Sequence, residues 1–309
     1  SDEEVIEQQP DQSLLTERYV QEAVDFIRAD SPKPFFLYLA HMYVHLPIYV
    51  KQEFLDKSEN GSYGAAVESI DWATAVIMNE LHLLGLDENT VVIFTSDNGS
   101  LGNILPPFGG RQELIGGSNL PLRGAKGTTW EGGQRVPAIV RWKGKVEAGR
   151  VCDELLTAMD FYPTLANVCG AQIPQDRIID GIDAQKVWFD AQAKSLHEHF
   201  VYYRANGLEA IRNRQYKLHF GRGKEDVFEL YDIVGDVSET TNVYDQFPEE
   251  VASLTAAANH YRHTLGDDRT GSTGTEVRPI GRVENPQPLA HFDPSHPYVI
   301  AEYDLPDRG

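Results

Sequence analysis

Between residues 14 and 29, Tyr19, Ala23, Phe26 and Ile27 recur near helical spacing, and the breaker Asp30-Ser31-Pro32 closes the run, which predicts a first helix. Phe35-Phe36-Leu37-Tyr38-Leu39-Ala40 is short, aromatic and without alternation, the pattern of a strand covered on both faces by helices. A loop with two histidines leads to a second predicted helix over residues 64–84, in which Ile70, Ala73, Ile77, Leu81 and Leu84 form one stripe. Val91-Val92-Ile93-Phe94-Thr95 repeats the buried-strand pattern and stops abruptly at Ser96-Asp97-Asn98-Gly99. Residues 136–142 predict a third strand, and residues 160–168 a helix with Pro163 in its early turns. The pattern is mixed α/β.

Past about residue 190 the texture changes. Residues 199–203, 208–212, 216–220 and 227–231 read as short strands separated by turn residues, and residues 248–265 as a helix covering one face of the resulting antiparallel sheet. From Gly266 onward periodicity vanishes, predicting a tail that wraps the body or is partly disordered. The chain thus divides into an α/β portion at 1–190, a small antiparallel-sheet subdomain with its helix at 191–266, and an extended tail at 267–309.

Composition narrows the partners. The 309 residues are 41% hydrophobic, enough for a sizeable core. With 27 basic against 47 acidic residues and a net charge of −20, the surface disfavours nucleic acid and anionic membranes, so an anionic substrate has to be met by a few local cations. Cys152 and Cys169 sit in neither a CxxC nor a Cys/His spacing, which argues against a disulfide framework or a zinc site. No apolar run reaches the roughly 18 residues of a membrane span, and the acidic first residues do not resemble a signal peptide.

Three segments carry candidate chemistry. In open α/β sheets ligands bind at the carboxyl ends of strands, and Asp97-Asn98-Gly99 occupies such an end; its carboxylate and amide oxygens suit Ca²⁺ or Mg²⁺, and the same tripeptide is also a common turn. His41 and His45 follow the first predicted strand, where a histidine can give a proton to a leaving group or can simply be satisfied by loop backbone. In Leu122-Arg123-Gly124-Ala125-Lys126-Gly127-Thr128-Thr129-Trp130-Glu131-Gly132-Gly133, two cations stand among glycines that let the backbone approach an oxyanion; a flexible surface loop has the same composition.

In this order, these segments resemble the later part of the type I sulfatases, the arylsulfatase-like group of the alkaline-phosphatase-like superfamily. The resemblance extends through Pro34-Phe35-Phe36-Leu37-Tyr38, His45-Leu46-Pro47, Thr95-Ser96-Asp97-Asn98-Gly99, Arg135-Val136-Pro137-Ala138, Asp160-Phe161-Tyr162-Pro163-Thr164, Asp180-Gly181 and Glu229-Leu230-Tyr231-Asp232. It implies part of an alkaline-phosphatase-like mixed sheet flanked by helices, plus the small C-terminal antiparallel sheet. By the same resemblance Asp97 and Asn98 are Ca²⁺ ligands, Asp97 also assists the nucleophile, and His45 and Lys126 are the leaving-group and sulfate-binding groups. It further implies a sulfate-ester substrate and a periplasmic, secreted or lysosome-like setting.

The nucleophile that the resemblance calls for, a formylglycine made within Cys/Ser-x-Pro/Ala-x-Arg, has no counterpart, since that motif is absent from the chain. The early Asp-Asp pair of the calcium site is missing as well. The expectation is therefore a C-terminal fragment whose partner is the N-terminal half of the catalytic domain, inactive alone and binding Ca²⁺ weakly or not at all. Two alternatives stay open: a phosphate or phosphonate ester hydrolase of the same superfamily, and a non-catalytic binding module that retains the fold. Gly116-Gly117-Ser118-Asn119 is a further candidate for lining the pocket, and Asn60-Gly61-Ser62 fits a glycosylation acceptor or a turn.

Overall fold

The computed structural model describes residues 5–7, 10–29, 33–102 and 116–287. Its contacts divide the chain into two compact units, one of Ser1–Asp87, Leu101–Ser118 and Pro279–Gly309, the other of Glu88–Ser100 and Asn119–Arg278.

In the first unit, helix α1 (Leu15–Arg28) buries Leu15, Val20, Ala23, Val24 and Ile27, positions that return to one face at 3.6 residues per turn. That face meets the long helix α3 (Gly61–Leu83), which follows the single-turn helix α2 (Gln52–Leu55). The buried side of α3 is made largely of small residues: Ala66 packs with Leu15 and Tyr43, and Ala73 with Val20 and Val24. Arg28 ties the two helices with a fork of hydrogen bonds to Glu80 at 2.7 and 2.8 Å, which also holds the Glu80 carboxyl below its usual range. Ala73 and Leu81 of the predicted stripe are buried, but Leu84 is exposed because the helix has already ended there.

The segment 35–40 departs from expectation. It forms no regular element and pairs with no strand among the described residues, and Phe36 and Tyr38 are 75% and 81% exposed. Asp30-Ser31-Pro32 and most of the loop 101–120 lie outside the described residues. No described helix is long and apolar enough to cross a membrane.

In the second unit, β1 (Val92–Thr95) pairs antiparallel with β2 (Ala138–Arg141), Thr95 lying opposite Ala138. β1 is not buried as predicted, since Phe94 is 39% exposed. Between these strands lies the short helix α4 (Glu131–Gln134). After β2 come α5 (Phe161–Val168) and α6 (Gln185–Phe189), and then a four-stranded antiparallel meander, β3 (Phe200–Arg204), β4 (Gly207–Arg212), β5 (Tyr216–Arg222) and β6 (Glu225–Asp232). Helix α7 (Pro248–Leu265) packs on β4 and β5, and Leu254 and Ala258 complete a core with Leu208, Ile211, Leu218 and Leu230. Pro248 with Glu249 and Glu250 opens α7, Arg262 and His263 close it, and Gly266 at φ 84° terminates it, so each end suits the helix dipole. Thr275 and Glu276 of the tail donate their N–H groups back to His263 and Thr264.

Buried Asp160 joins three segments of this unit: it accepts from the N–H of Thr157 at 2.7 Å and of Ile182 at 2.9 Å, and from His197 Nε2 at 2.9 Å. Burial alone would push its carboxyl up, but these donors hold it below the ordinary 3.8. A depressed carboxyl stabilises the fold above its unfolded pKa, and that contribution is lost as pH falls through the folded value. Asp160→Asn is therefore expected to be less stable than the parent at pH 7 and to have a shallower loss of stability below pH 3.8, read from urea unfolding midpoints. Parallel pH profiles for the two proteins would remove Asp160 from the acid response.

Candidate functional site

The turn at the end of β1 presents the two candidate oxygen ligands, exposed Asp97 and half-buried Asn98. Thr95 Oγ1 donates to Pro137 O at 3.0 Å, closing the ribbon, and Ser96 Oγ donates to Asn98 O at 2.9 Å, closing the turn. Asn98 Nδ2 donates to Gly99 O at 2.9 Å, which commits the amide nitrogen to backbone and leaves Oδ1 open. Asp97 is exposed and makes no hydrogen bond or ion pair among the described residues. Two adjacent hard oxygen donors, neither engaged elsewhere, fit part of a Ca²⁺ site. They are short of a whole one: no group of three or more His, Cys, Asp or Glu placed to hold a metal occurs among the described residues.

A second loop is stapled to this turn. The N–H of Lys126 donates to Ser100 O at 3.0 Å, and that of Gly99 to Gly133 O at 3.1 Å. Asn119 imitates a strand partner: its Oδ1 accepts from Ser100 N–H at 2.8 Å, while Nδ2 donates to Ser100 O at 2.9 Å and Gly124 O at 3.1 Å. The approach is so close that a Cβ on Gly99 would stand 1.8 Å from Gly132 O. Asp97 and Asn98 are thus carried on the same rigid frame as half-buried Lys126, whose ammonium has no protein partner among the described residues. A cation and a pair of hard oxygen donors carried on one frame suit a tetrahedral oxyanion.

Beneath the loop is a buried charge cluster that sequence reasoning did not single out. Glu131 accepts from Tyr202 Oη at 2.7 Å, Lys217 Nζ at 3.0 Å and Arg212 Nη1 at 3.1 Å. Burial would raise the Glu131 carboxyl, but the Lys217 and Arg212 charges and the tyrosine hydroxyl hold it below its usual range. Glu239 accepts the Glu131 N–H on Oε2 at 2.8 Å, and Lys217 Nζ and His219 Nε2 stand 3.1 and 3.3 Å from its Oε1. His219 is pushed down by burial and so is neutral at pH 7, with Nε2 as the donor. Trp130 packs against the His219 ring, tilted by 41° with centroids 4.5 Å apart, and lies under the Arg123 guanidinium at 3.8 Å.

The two histidines belong to the first unit. Exposed His45 has Nδ1 2.7 Å from Leu46 O, so the neutral ring keeps its proton on Nδ1 and Nε2 can donate only in the imidazolium form. His41 is half-buried, burial pushes it down, and its Nδ1 is enclosed without a hydrogen-bond partner. Gly117, at φ 78°, packs on Tyr63 of the same unit, where a Cβ would come within 2.4 Å of the ring. Cys152 and Cys169 are both exposed free thiols.

Known proteins point the same way. The Sulfatase family profile matches residues 2–171, and a profile described as N-sulphoglucosamine sulphohydrolase, C-terminal, matches residues 125–262. The chain is 42% identical over 207 residues to the steryl-sulfatase of Rattus norvegicus, covering 67% of this chain and 35% of that protein. It is also 42% identical over 207 residues to the N-acetylgalactosamine-6-sulfatase of the same species, covering 66% and 38%. Among solved structures, the PsFucS1 sulfatase from Pseudoalteromonas sp. superposes with a TM-score of 0.73 at 27% identity, over 81% of this chain and 52% of that one. The phosphonate monoester hydrolase of Agrobacterium radiobacter shares the fold, with a TM-score of 0.56 at 17% identity. The chain spans about a third of the length of the curated relatives it matches. Its α/β architecture is that of the alkaline-phosphatase-like sulfatases, and with the family profile extending over more than half of its residues, the chain belongs to the Sulfatase family.

Proposed function

We propose that the chain forms the C-terminal portion of a calcium-dependent sulfatase that hydrolyses sulfate monoesters, supplying metal ligands and oxyanion-binding groups to a site whose nucleophile lies on another segment. The observation that carries this reading is the backbone stapling of the Asp97-Asn98 turn to the Lys126 loop, which fixes two oxygen ligands and a cation on one frame. When bound, a calcium ion held by the Asp97 carboxylate and Asn98 Oδ1 would supply Lewis-acid stabilisation of the ester's oxygens.

The remaining roles belong to the chain's own groups. Lys126 neutralises the charge that builds on the peripheral sulfate oxygens as the S–O bond breaks. His45, as imidazolium, gives its Nε2 proton to the leaving oxygen. Asp97 also orients the attacking group. Relatives named steryl-sulfatase and N-acetylgalactosamine-6-sulfatase support a sulfate ester as the substrate, whatever its non-sulfate part. The absence of the nucleophile motif supports inactivity of the chain by itself.

The test is a calcium titration of a complete sulfatase that carries this chain, with and without Asp97→Asn. Loss of one charged ligand is expected to weaken Ca²⁺ binding by about tenfold or more, since ligand charge sets affinity in such sites. An unaltered titration would remove Asp97 from the metal.

A further inference from the structure

The loop that carries Lys126 is held from below by charges that are wholly out of water. Lys217 and Glu239 are 0% exposed and Glu131 1%. A lone buried charge is strongly disfavoured, and even a satisfied buried pair commonly adds little stability over an apolar replacement, so such a cluster needs a reason beyond holding the core.

Its geometry supplies one. Glu239 touches the loop on both sides of Lys126: its carbonyl accepts from Arg123 Nη1 at 2.7 Å, and its carboxylate accepts from the Glu131 N–H at 2.8 Å. It does so from a left-handed backbone, φ 50°, which a non-glycine residue adopts only when its surroundings impose it. Lys217, on β5, bridges the Glu131 and Glu239 carboxylates and lies 4.0 Å over the Tyr202 ring of β3. Thr129 adds a hydrogen bond to buried Glu209 of β4 at 2.8 Å. Three strands of the meander therefore grip residues 123–131, and the only long side chain of the loop left unengaged is Lys126.

We infer that the buried Glu131–Lys217–Glu239 cluster is a positioning device for Lys126, through which the C-terminal sheet sets where the sulfate-binding ammonium stands. This rests on the proposed role of Lys126. Lys217, Glu131 and Glu239 touch no substrate and are positioning residues.

Two variants separate positioning from plain stability. Lys217→Met leaves two carboxylates facing each other and should lower Tm. Lys217→Met with Glu239→Gln removes one charge of each sign, keeps an acceptor for the Glu131 N–H, and leaves Glu131 with Arg212, so most of the lost Tm should return. In the full chain, hydrogen exchange of a peptide covering residues 121–135 is expected to stay faster than in the parent in this double variant, while α1 and α3 exchange as before. In a complete sulfatase carrying this chain, kcat for p-nitrophenyl sulfate is expected to stay about tenfold low with KM within about twofold, the sign of a misplaced group rather than a lost binding contact. If loop exchange or kcat recovers together with Tm, the cluster is structural only and the inference is overturned. Lys126→Ala is the control: unchanged kcat in that variant would sink the role of Lys126 itself, whereas the exchange result tests the grip of the sheet on the loop without reference to sulfate.

Discussion

Lys126→Ala, in a complete sulfatase that carries this chain, is expected to lower kcat for an aryl sulfate by about 10²–10³-fold, the usual cost of losing one preorganised oxyanion donor. The structure separates that loss from unfolding. The staple at this position is the backbone N–H of Lys126 to Ser100 O, which alanine keeps. The ammonium has no partner among the described residues, so truncation leaves no buried group unpaired. The melting temperature should therefore stay near that of the parent while turnover collapses, with a smaller change in KM because the charge being met grows toward the transition state. A kcat within a few-fold of the parent would take Lys126 out of the mechanism and leave the loop as scaffolding.

The elements that a sequence reader recovers here are those whose partners are close in sequence. Helix α7 carries its own start and stop signals in Pro248 and Gly266, and the four strands of the meander are set apart by turn residues, so each is legible from local pattern. Residues 35–40 illustrate the opposite case: a strand is a pairing state, and an aromatic run with no paired neighbour among the described residues forms none. Leu84 fell outside its helix because Gly85, at φ 68°, ends α3 before the stripe is complete.

The candidate site was legible wherever chemistry and glycine coincide, at Asp97-Asn98-Gly99 and around Lys126. Its supports were not. Residues 216–220 read only as a short strand, and nothing in that pattern marks Lys217 and His219 as the enclosed charges they are. Asn119 was singled out only as part of a segment that could line the pocket, whereas its side chain supplies three hydrogen bonds at the junction of the two loops. Long-range pairing of this kind leaves no local periodicity; the nearest signal was Glu131, an acid followed by Gly132-Gly133, which have no side chains to pair with it.

Gly99→Ala is expected to be among the most damaging single methyls at the described glycines. Gly99 has no left-handed backbone to require glycine; what it has is Gly132 O, 1.8 Å from where the new Cβ would lie. That carbonyl cannot withdraw, because Gly132 donates its N–H to Arg123 O at 2.7 Å and the preceding residue is held by Glu239. The turn must move instead, breaking Gly99 N–H to Gly133 O and carrying Asp97 and Asn98 away from the Lys126 frame. We expect a loss of about 3 kcal/mol in urea unfolding, the upper part of the usual overpacking range, and in a complete sulfatase a fall in turnover of at least about 10²-fold from misplacement alone. Gly127→Ala is the comparison that identifies the cause. It meets no atom within 4 Å, but its φ is 82°, so it should cost only about 1–2 kcal/mol of backbone strain. If the two variants were equally mild, the close approach of the loops would not be what holds the metal ligands and the cation together; if Gly99→Ala alone lost both calcium and turnover, the staple between them would be the feature on which the site depends.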